Sequence, residues 1–176
     1  MIQENIKEEE FPSRKVNDPT IRTENVRTQN KLANYKEYEE KIKLSRAHKN
    51  RISGEIKLYL KSQYTNKHGA LICQICTNPM PFKIGEDYYF ERVEIFKKEK
   101  LDKEVKFPYL ALCPNCSAKY KYLVKNHHSR IEEVEWAIKE WIDEDFISIQ
   151  LDNESININF TDQHFHDLKS LLESNE

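Results

Sequence analysis

The chain has 176 residues, with 28 Lys and Arg against 30 Asp and Glu, giving a formal net charge of −2. Hydrophobic residues make up 38% and charged residues 33%, so the length allows one or two small domains around a modest core. No run approaches the ~18 apolar residues of a spanning helix, which excludes a helical membrane protein, and three Gly with six Pro exclude collagen-like and linker-like chains. The near-zero net charge hides an asymmetry: residues 1–12 carry −3, 13–67 carry +8, 68–130 carry +4 and 131–176 carry −11. A basic body with an acidic C-terminal third points to a polyanionic partner, or to two ends that neutralise each other.

Residues 1–20 have almost no apolar periodicity and are expected to form a disordered or docking tail. Their first ten residues have no basic n-region and no apolar h-region, so no secretory signal is expected and the expected compartment is the cytoplasm. Residues 21–67 read as a helical arm. Leu32, Tyr35, Tyr38 and Ile42 fall at helical spacing, and Ile56, Tyr59, Leu60 and Tyr64 mark a second helix. Ser53 is the expected N-cap of that second helix, with Glu55 in its first turn. At helical spacing these tyrosines read as core contacts rather than as stacking platforms for single-stranded nucleic acid.

Residues 68–128 form the central module. Ala70 to Ile75 reads as a short strand, Gly85-Glu86-Asp87 as a turn, and Tyr88 to Phe96, aromatic and β-branched, as a strand. Lys97 to Lys106 is a charged loop, and Tyr109 to Leu112 leads into Cys113. Pro114 suits the first position of a helix running to Val124. Residues 129–176 read as an acidic helix–hairpin–helix unit. Ser129 and Glu132 match a capping box. Ile131, Val134, Ile138, Trp141 and Ile142 share one helical face, with Glu132, Glu133, Glu135, Glu140, Asp143 and Glu144 opposite. Phe146–Leu151 and Ser155–Phe160 alternate as a hairpin, and Thr161 caps a last helix bearing Phe165, Leu168, Leu171 and Leu172. His164 and His166 on that helix read as surface residues.

The four cysteines fall into two C-x-x-C pairs, Cys73/Cys76 and Cys113/Cys116. A two-residue gap lets both sulfurs of one tight turn face one ion, and two such turns close a tetrahedron. In a reducing compartment this spacing reads as one structural Zn²⁺ held by four thiolates; disulfides, free thiols or a redox pair are the alternatives. A knuckle, a hairpin and a helix that carries the last ligand make a treble-clef arrangement. The expected fold class is therefore α+β, a small treble-clef module with N-terminal helices and a C-terminal helix–hairpin–helix unit.

The segment from Leu71 to Tyr122 resembles a zinc-bearing HNH endonuclease domain, which reads roughly as C-x-x-C, a YFE-x-HH-I strand, then NL-x-x-LC-x-x-CH. The matching pieces here are Cys73–Cys76, Tyr89 to Ile95, and Pro108 to Ser117. The resemblance implies an HNH-like zinc module with its catalytic groups replaced. The strand's His pair becomes Val93-Glu94, the Asn falls at Pro108, and the last His is Ser117. Valine and proline take no proton, so general-base catalysis has no candidate there and no catalytic residue is assigned. A looser likeness, from about Ser53 to Leu172, is to zinc-bearing segments of large bacterial proteins that also carry ATPase domains, some of them in anti-phage defence systems.

Three functions follow as expectations. The first is a non-catalytic zinc-stabilised binding module or accessory subunit with a protein partner, such as an ATPase-bearing subunit or domain. The second is a nucleic-acid-binding module that holds phosphate through Lys97, Lys98, Lys100, Lys119, Lys121, Lys125 and Arg130. The third is a divergent nuclease built on Glu94 and an imidazole from elsewhere, such as His127 or His128, although both read first as solvated residues at a helix C-terminus.

Overall fold

A computed structural model describes residues 11–34, 46–97, 100–101, 103–140, 146–151 and 153–175, the side chains of 46–50 excepted. Tyr35, Tyr38, Ile42, Lys98, Trp141, Ile142, Asp143 and Glu144, named above, lie outside these residues, as do residues 1–10. The chain mixes helices with small antiparallel hairpins, an α+β arrangement. Among the described residues no helix is long and apolar enough to cross a membrane.

Helix α1 (Pro19–Leu32) begins where Pro19 fixes the backbone and the Asp18 carboxylate accepts the Ile21 N–H at 2.9 Å. It lies against the C-terminal helix and buries Val26 and Asn30, while Leu32 is 80% exposed and does not join the core. Upstream, Phe11 packs on Tyr64, and Arg14 donates to the Ser62 and Thr65 carbonyls. Helix α2 (Arg46–Tyr64) buries Ile56, Tyr59, Leu60 and Tyr64 on one face, as their spacing requires. Ser53 is not its N-cap, because the helix starts earlier and runs through Gly54. The Ser53 hydroxyl and carbonyl instead accept hydrogen bonds from Arg92, which tie the helix to the central module.

The expected strand at Ala70–Ile75 reduces to isolated bridges, Thr65 with Leu71 and Ile72 with Pro79. Two prolines nearby and a sulfur-bearing turn leave no room for a regular ladder. The expected strand Tyr88–Phe96 is broken in two. Strands β1 (Lys83–Ile84) and β2 (Asp87–Tyr88) close a tiny hairpin around Gly85, whose φ of +64° favours glycine. After it, β3 (Glu91–Glu94) pairs with β4 (Tyr109–Leu112), Val93 opposite Leu110. Helix α3 (Pro114–Lys119) packs on this second hairpin, then widens into a π-helical turn (Tyr120–Lys125).

Helix α4 (His128–Glu140) buries Ile131, Val134 and Ile138. It begins one residue before Ser129, so the expected capping box is not its start, and the Ile131 N–H bonds to the His127 carbonyl. Strands β5 (Phe146–Gln150) and β6 (Ser155–Asn159) alternate exposed and buried, with Ile147 opposite Ile158 and Ile149 opposite Ile156. Thr161 caps α5 (Asp162–Glu173) by accepting the His164 N–H. His164 corrects the sequence reading. It is fully buried, one ring nitrogen bonded to the Tyr64 hydroxyl and the other 2.8 Å from the Phe107 carbonyl. The sequence reading puts it at the surface, but the residues one turn further along α5, Asp167 and Leu168, are buried as well. One apolar cluster runs from Val26 through Leu60, Val93 and Leu110 to Ile149 and Leu168.

Candidate metal centre

Two turns bring the four sulfurs together. In the first, the Cys73 N–H bonds to the Asn78 carbonyl and the Thr77 N–H to the Cys73 carbonyl, at 2.9 and 3.0 Å. Closing this knuckle puts Thr77 in the left-handed region at φ +57°, a costly place for a β-branched residue. In the second, strand β4 delivers Cys113 and the first turn of α3 carries Cys116. All four ligand atoms lie within 4.8 Å of one another, close enough to hold one metal ion. The Cys76 and Cys113 sulfurs are 3.9 Å apart, and the Cys113 N–H points at the Cys73 sulfur at 3.4 Å. None of the four is in a disulfide. Among the described residues, no other group of Cys, His and acidic side chains has this geometry.

The crowding sets the acidities. S–H donors from Cys116 and Cys73 hold the Cys76 thiol down to about 2, favouring one thiolate at that position. Hydrogen bonding to Cys73 and to Cys76, with burial, pushes the Cys116 thiol up. At Cys73 the Cys116 bond lowers the value, but the Cys76 bond and burial outweigh it and push the thiol up to about 12. A first thiolate is thus stabilised by its neighbours and further ones are opposed, until a cation compensates them.

Compared with known protein families, curated proteins and solved structures, the chain matches none.

Of the four positions that the resemblance sets against nuclease catalytic groups, three are buried and Glu94 is half-buried. Val93 is 2% exposed, Pro108 is buried and Ser117 is 2% exposed. Glu94 forms an ion pair with Lys125 at 3.7 Å. His127 and His128 are exposed beyond the π-helical turn, and His128 faces Glu132 at 3.4 Å.

The basic residues singled out above are largely engaged. Lys119 pairs with Glu154 at 2.9 Å, Lys121 with Glu91 at 3.4 Å, and Lys100 with Glu135 at 2.7 Å. Arg130 donates to the Leu123 carbonyl at 2.5 Å, and Lys97 is half-buried. Two of these pairs, Lys100–Glu135 and Lys119–Glu154, join the central module to the acidic C-terminal unit.

Gln74, between the first two cysteines, escaped the sequence reading. It is fully buried, and its side chain behaves like a short piece of strand. Its Oε1 accepts the Ala111 N–H at 2.8 Å and its Nε2 donates to the Asn159 carbonyl at 2.9 Å. Its own N–H goes to the Ala111 carbonyl, and its carbonyl accepts the Asn159 backbone and side-chain N–H groups at 2.7 and 2.9 Å. The knuckle is thereby locked to β4 on one side and to the end of β6 on the other. The available signal was a long amide in the knuckle gap, next to the first ligand and two residues before the second.

Proposed function

We propose that this chain is a non-catalytic, zinc-stabilised binding module, an accessory subunit that mediates protein–protein assembly in a nucleic-acid-related or anti-phage defence system. The observation that carries it is the closed four-cysteine cluster beside a hairpin whose nuclease positions are filled by buried Val93, Pro108 and Ser117. A tetrahedral site with metal–sulfur bonds of ~2.3 Å has sulfur–sulfur edges of ~3.8 Å. The 3.9 Å between Cys76 and Cys113 fits that edge. Four thiolates suit Zn²⁺, and a closed set leaves no position for substrate water, so the ion is structural. The order of knuckle, hairpin and helix supports a treble-clef, HNH-like ancestry.

A nucleic-acid role is the weaker reading, because phosphate would have to displace Glu91, Glu94, Glu135 and Glu154 from the lysines it needs. The test combines three measurements on the purified chain. Metal analysis should find one zinc per chain. Incubation of DNA and RNA with Mg²⁺ or Mn²⁺ should yield no cleavage. Affinity purification from the native host should recover a stoichiometric protein partner. Metal-dependent cleavage that is lost in Glu94→Ala would overturn the non-catalytic reading. A strongly salt-dependent gel shift without a protein partner would move the assignment to nucleic acid.

A further inference from the structure

Away from the cysteines, the fold gathers a second set of charged groups where α1, α2 and α5 meet. Asp167 is completely buried, yet it accepts three strong hydrogen bonds. Arg22 binds it with two nitrogens, Nε at 2.7 Å and Nη2 at 2.5 Å, and the Tyr59 hydroxyl donates at 2.6 Å. This fork holds the guanidinium rigidly against the α5 carboxylate. It leaves Nη1 with no protein partner among the described residues, on a side chain that is 28% exposed.

The same groups line a cavity of about 490 Å³, in the size range of small-molecule sites. Tyr59 and Phe107 form an aromatic wall, packed edge to face at 5.5 Å. Lys106 sits at its edge, its ammonium 5.6 Å from the Tyr59 ring and 5.4 Å from the Phe107 ring. No carboxylate among the described residues pairs with it. Asn25 and Gln29, one turn apart on α1, add carboxamides at the rim. The charged lining groups are Asp18, Arg22, Lys106 and Asp167. Asp167 is satisfied by Arg22 and Tyr59, and Asp18 is turned onto the Ile21 N–H as a helix cap. Asp18 spends one carboxylate oxygen on that cap and lies at the exposed end of the lining, so the donors with unused capacity beside the aromatic wall are Nη1 of Arg22 and the Lys106 ammonium. None of the four cysteines lines the cavity.

We propose that this cavity is a binding site for a small molecule that joins an oxyanion, phosphate or carboxylate, to a planar body. Arg22 and Lys106 hold the anion, and the body lies against Tyr59 and Phe107. The site is independent of the zinc centre and extends the module from an assembly element to one that senses a small anionic ligand. The oriented guanidinium supplies geometry, and the unpaired ammonium supplies charge without a competing carboxylate.

The test uses the metal-loaded full chain and three probes: adenosine 5′-monophosphate for a phosphate, benzoate for a carboxylate, and adenosine as a planar body without an anion. Thermal shift and calorimetric titration should show saturable binding of one or both anionic probes and none of adenosine. Lys106→Gln, which leaves the Arg22–Asp167–Tyr59 network untouched, should weaken binding by at least ~10-fold, the loss of one charge-assisted interaction. Arg22→Gln should do the same, and circular dichroism reports whether that variant still folds. No saturable binding of either anion up to ~10 mM, well above a useful affinity, would overturn the proposal. So would adenosine binding as tightly as its monophosphate, or Lys106→Gln binding unchanged.

Discussion

Replacing Gln74 with alanine should cost more than any surface change of similar size. The side chain is fully buried and makes two hydrogen bonds, at 2.8 Å from the Ala111 N–H and 2.9 Å to the Asn159 carbonyl. Truncation leaves one buried donor and one buried acceptor with reduced or no pairing, each costing about 1–3 kcal/mol. A loss of about 3 kcal/mol is therefore expected, a large share of the 5–15 kcal/mol typical of a domain. With a urea m-value of ~1.5 kcal/mol/M, the midpoint of the metal-loaded protein should fall by about 2 M. Asn159→Ala removes only the side-chain donor to the Gln74 carbonyl, at 2.9 Å, and should cost about 1 kcal/mol. Because both residues serve one junction, the double variant should lose less than the sum of the single losses. A midpoint shift below ~0.3 M for Gln74→Ala, well under the cost of one orphaned buried group, would refute the idea that this amide seals the knuckle.

Other consequences are equally direct. Cys116→Ser should abolish stoichiometric zinc, read by metal analysis, and a strong chelator should reproduce its loss of structure, since structural zinc supplies ~10–16 kcal/mol of apparent binding energy in small modules. Thr77→Gly should raise stability by about 0.5–1 kcal/mol, because relief of the φ +57° strain exceeds the entropic cost of glycine; an unchanged or lower midpoint would count against it. Burial, aided by the Arg22 charge and opposed by the Phe107 carbonyl, lowers the His164 pKa from 6.5 to about 4. Its neutral form is the folded one, so stability should be full above pH ~6.5 and fall by about 3 kcal/mol as pH drops toward 4. Denaturation midpoints against pH for the wild type and His164→Gln isolate that contribution, and parallel profiles would exclude it. Glu135→Gln with Glu154→Gln frees Lys100 and Lys119 and should strengthen low-salt nucleic-acid binding several-fold on a gel; no change would leave those lysines without any phosphate role.

Features set by period and spacing were legible in the sequence. The 3.6-residue pattern located the buried faces of α2, α4 and α5, and the alternation Ile147, Ile149, Ile156, Ile158 located the last hairpin with its inward residues. The cysteine spacing located the cluster, because few other folded arrangements suit two such pairs in one chain. What stayed hidden depends on tertiary partners. Ser53 looks like a cap, but packing of α2 on the central module extends the helix through Gly54. Tyr88 to Phe96 has strand composition throughout, yet the small hairpin at Gly85 claims its first residue, Tyr88, and the register with β4 claims only four. His164, Asp167 and Gln74 are polar residues made interior by partners distant in sequence, Tyr64, Arg22 and Asn159. No local pattern announces such pairs.

The charge asymmetry takes on a physical meaning once these contacts are placed. Surface pairs such as Lys119–Glu154, both side chains 48% exposed, contribute only about 0–1 kcal/mol, so they orient the acidic unit more than they hold it. The holding comes from the shared apolar cluster and from Gln74, which bonds to both β4 and β6. Metal loss should therefore reach the C-terminal unit as well as the knuckle, because the Asn159 end of β6 is bonded to the turn that the metal would organise. The pairing also has a direction. Glu135 and Glu154 turn toward the basic module, while Glu133 and Glu140 stay exposed around Trp136 on the outer face of α4. The acidic third thus pairs with its own neighbour on one side and keeps a charged face outward on the other.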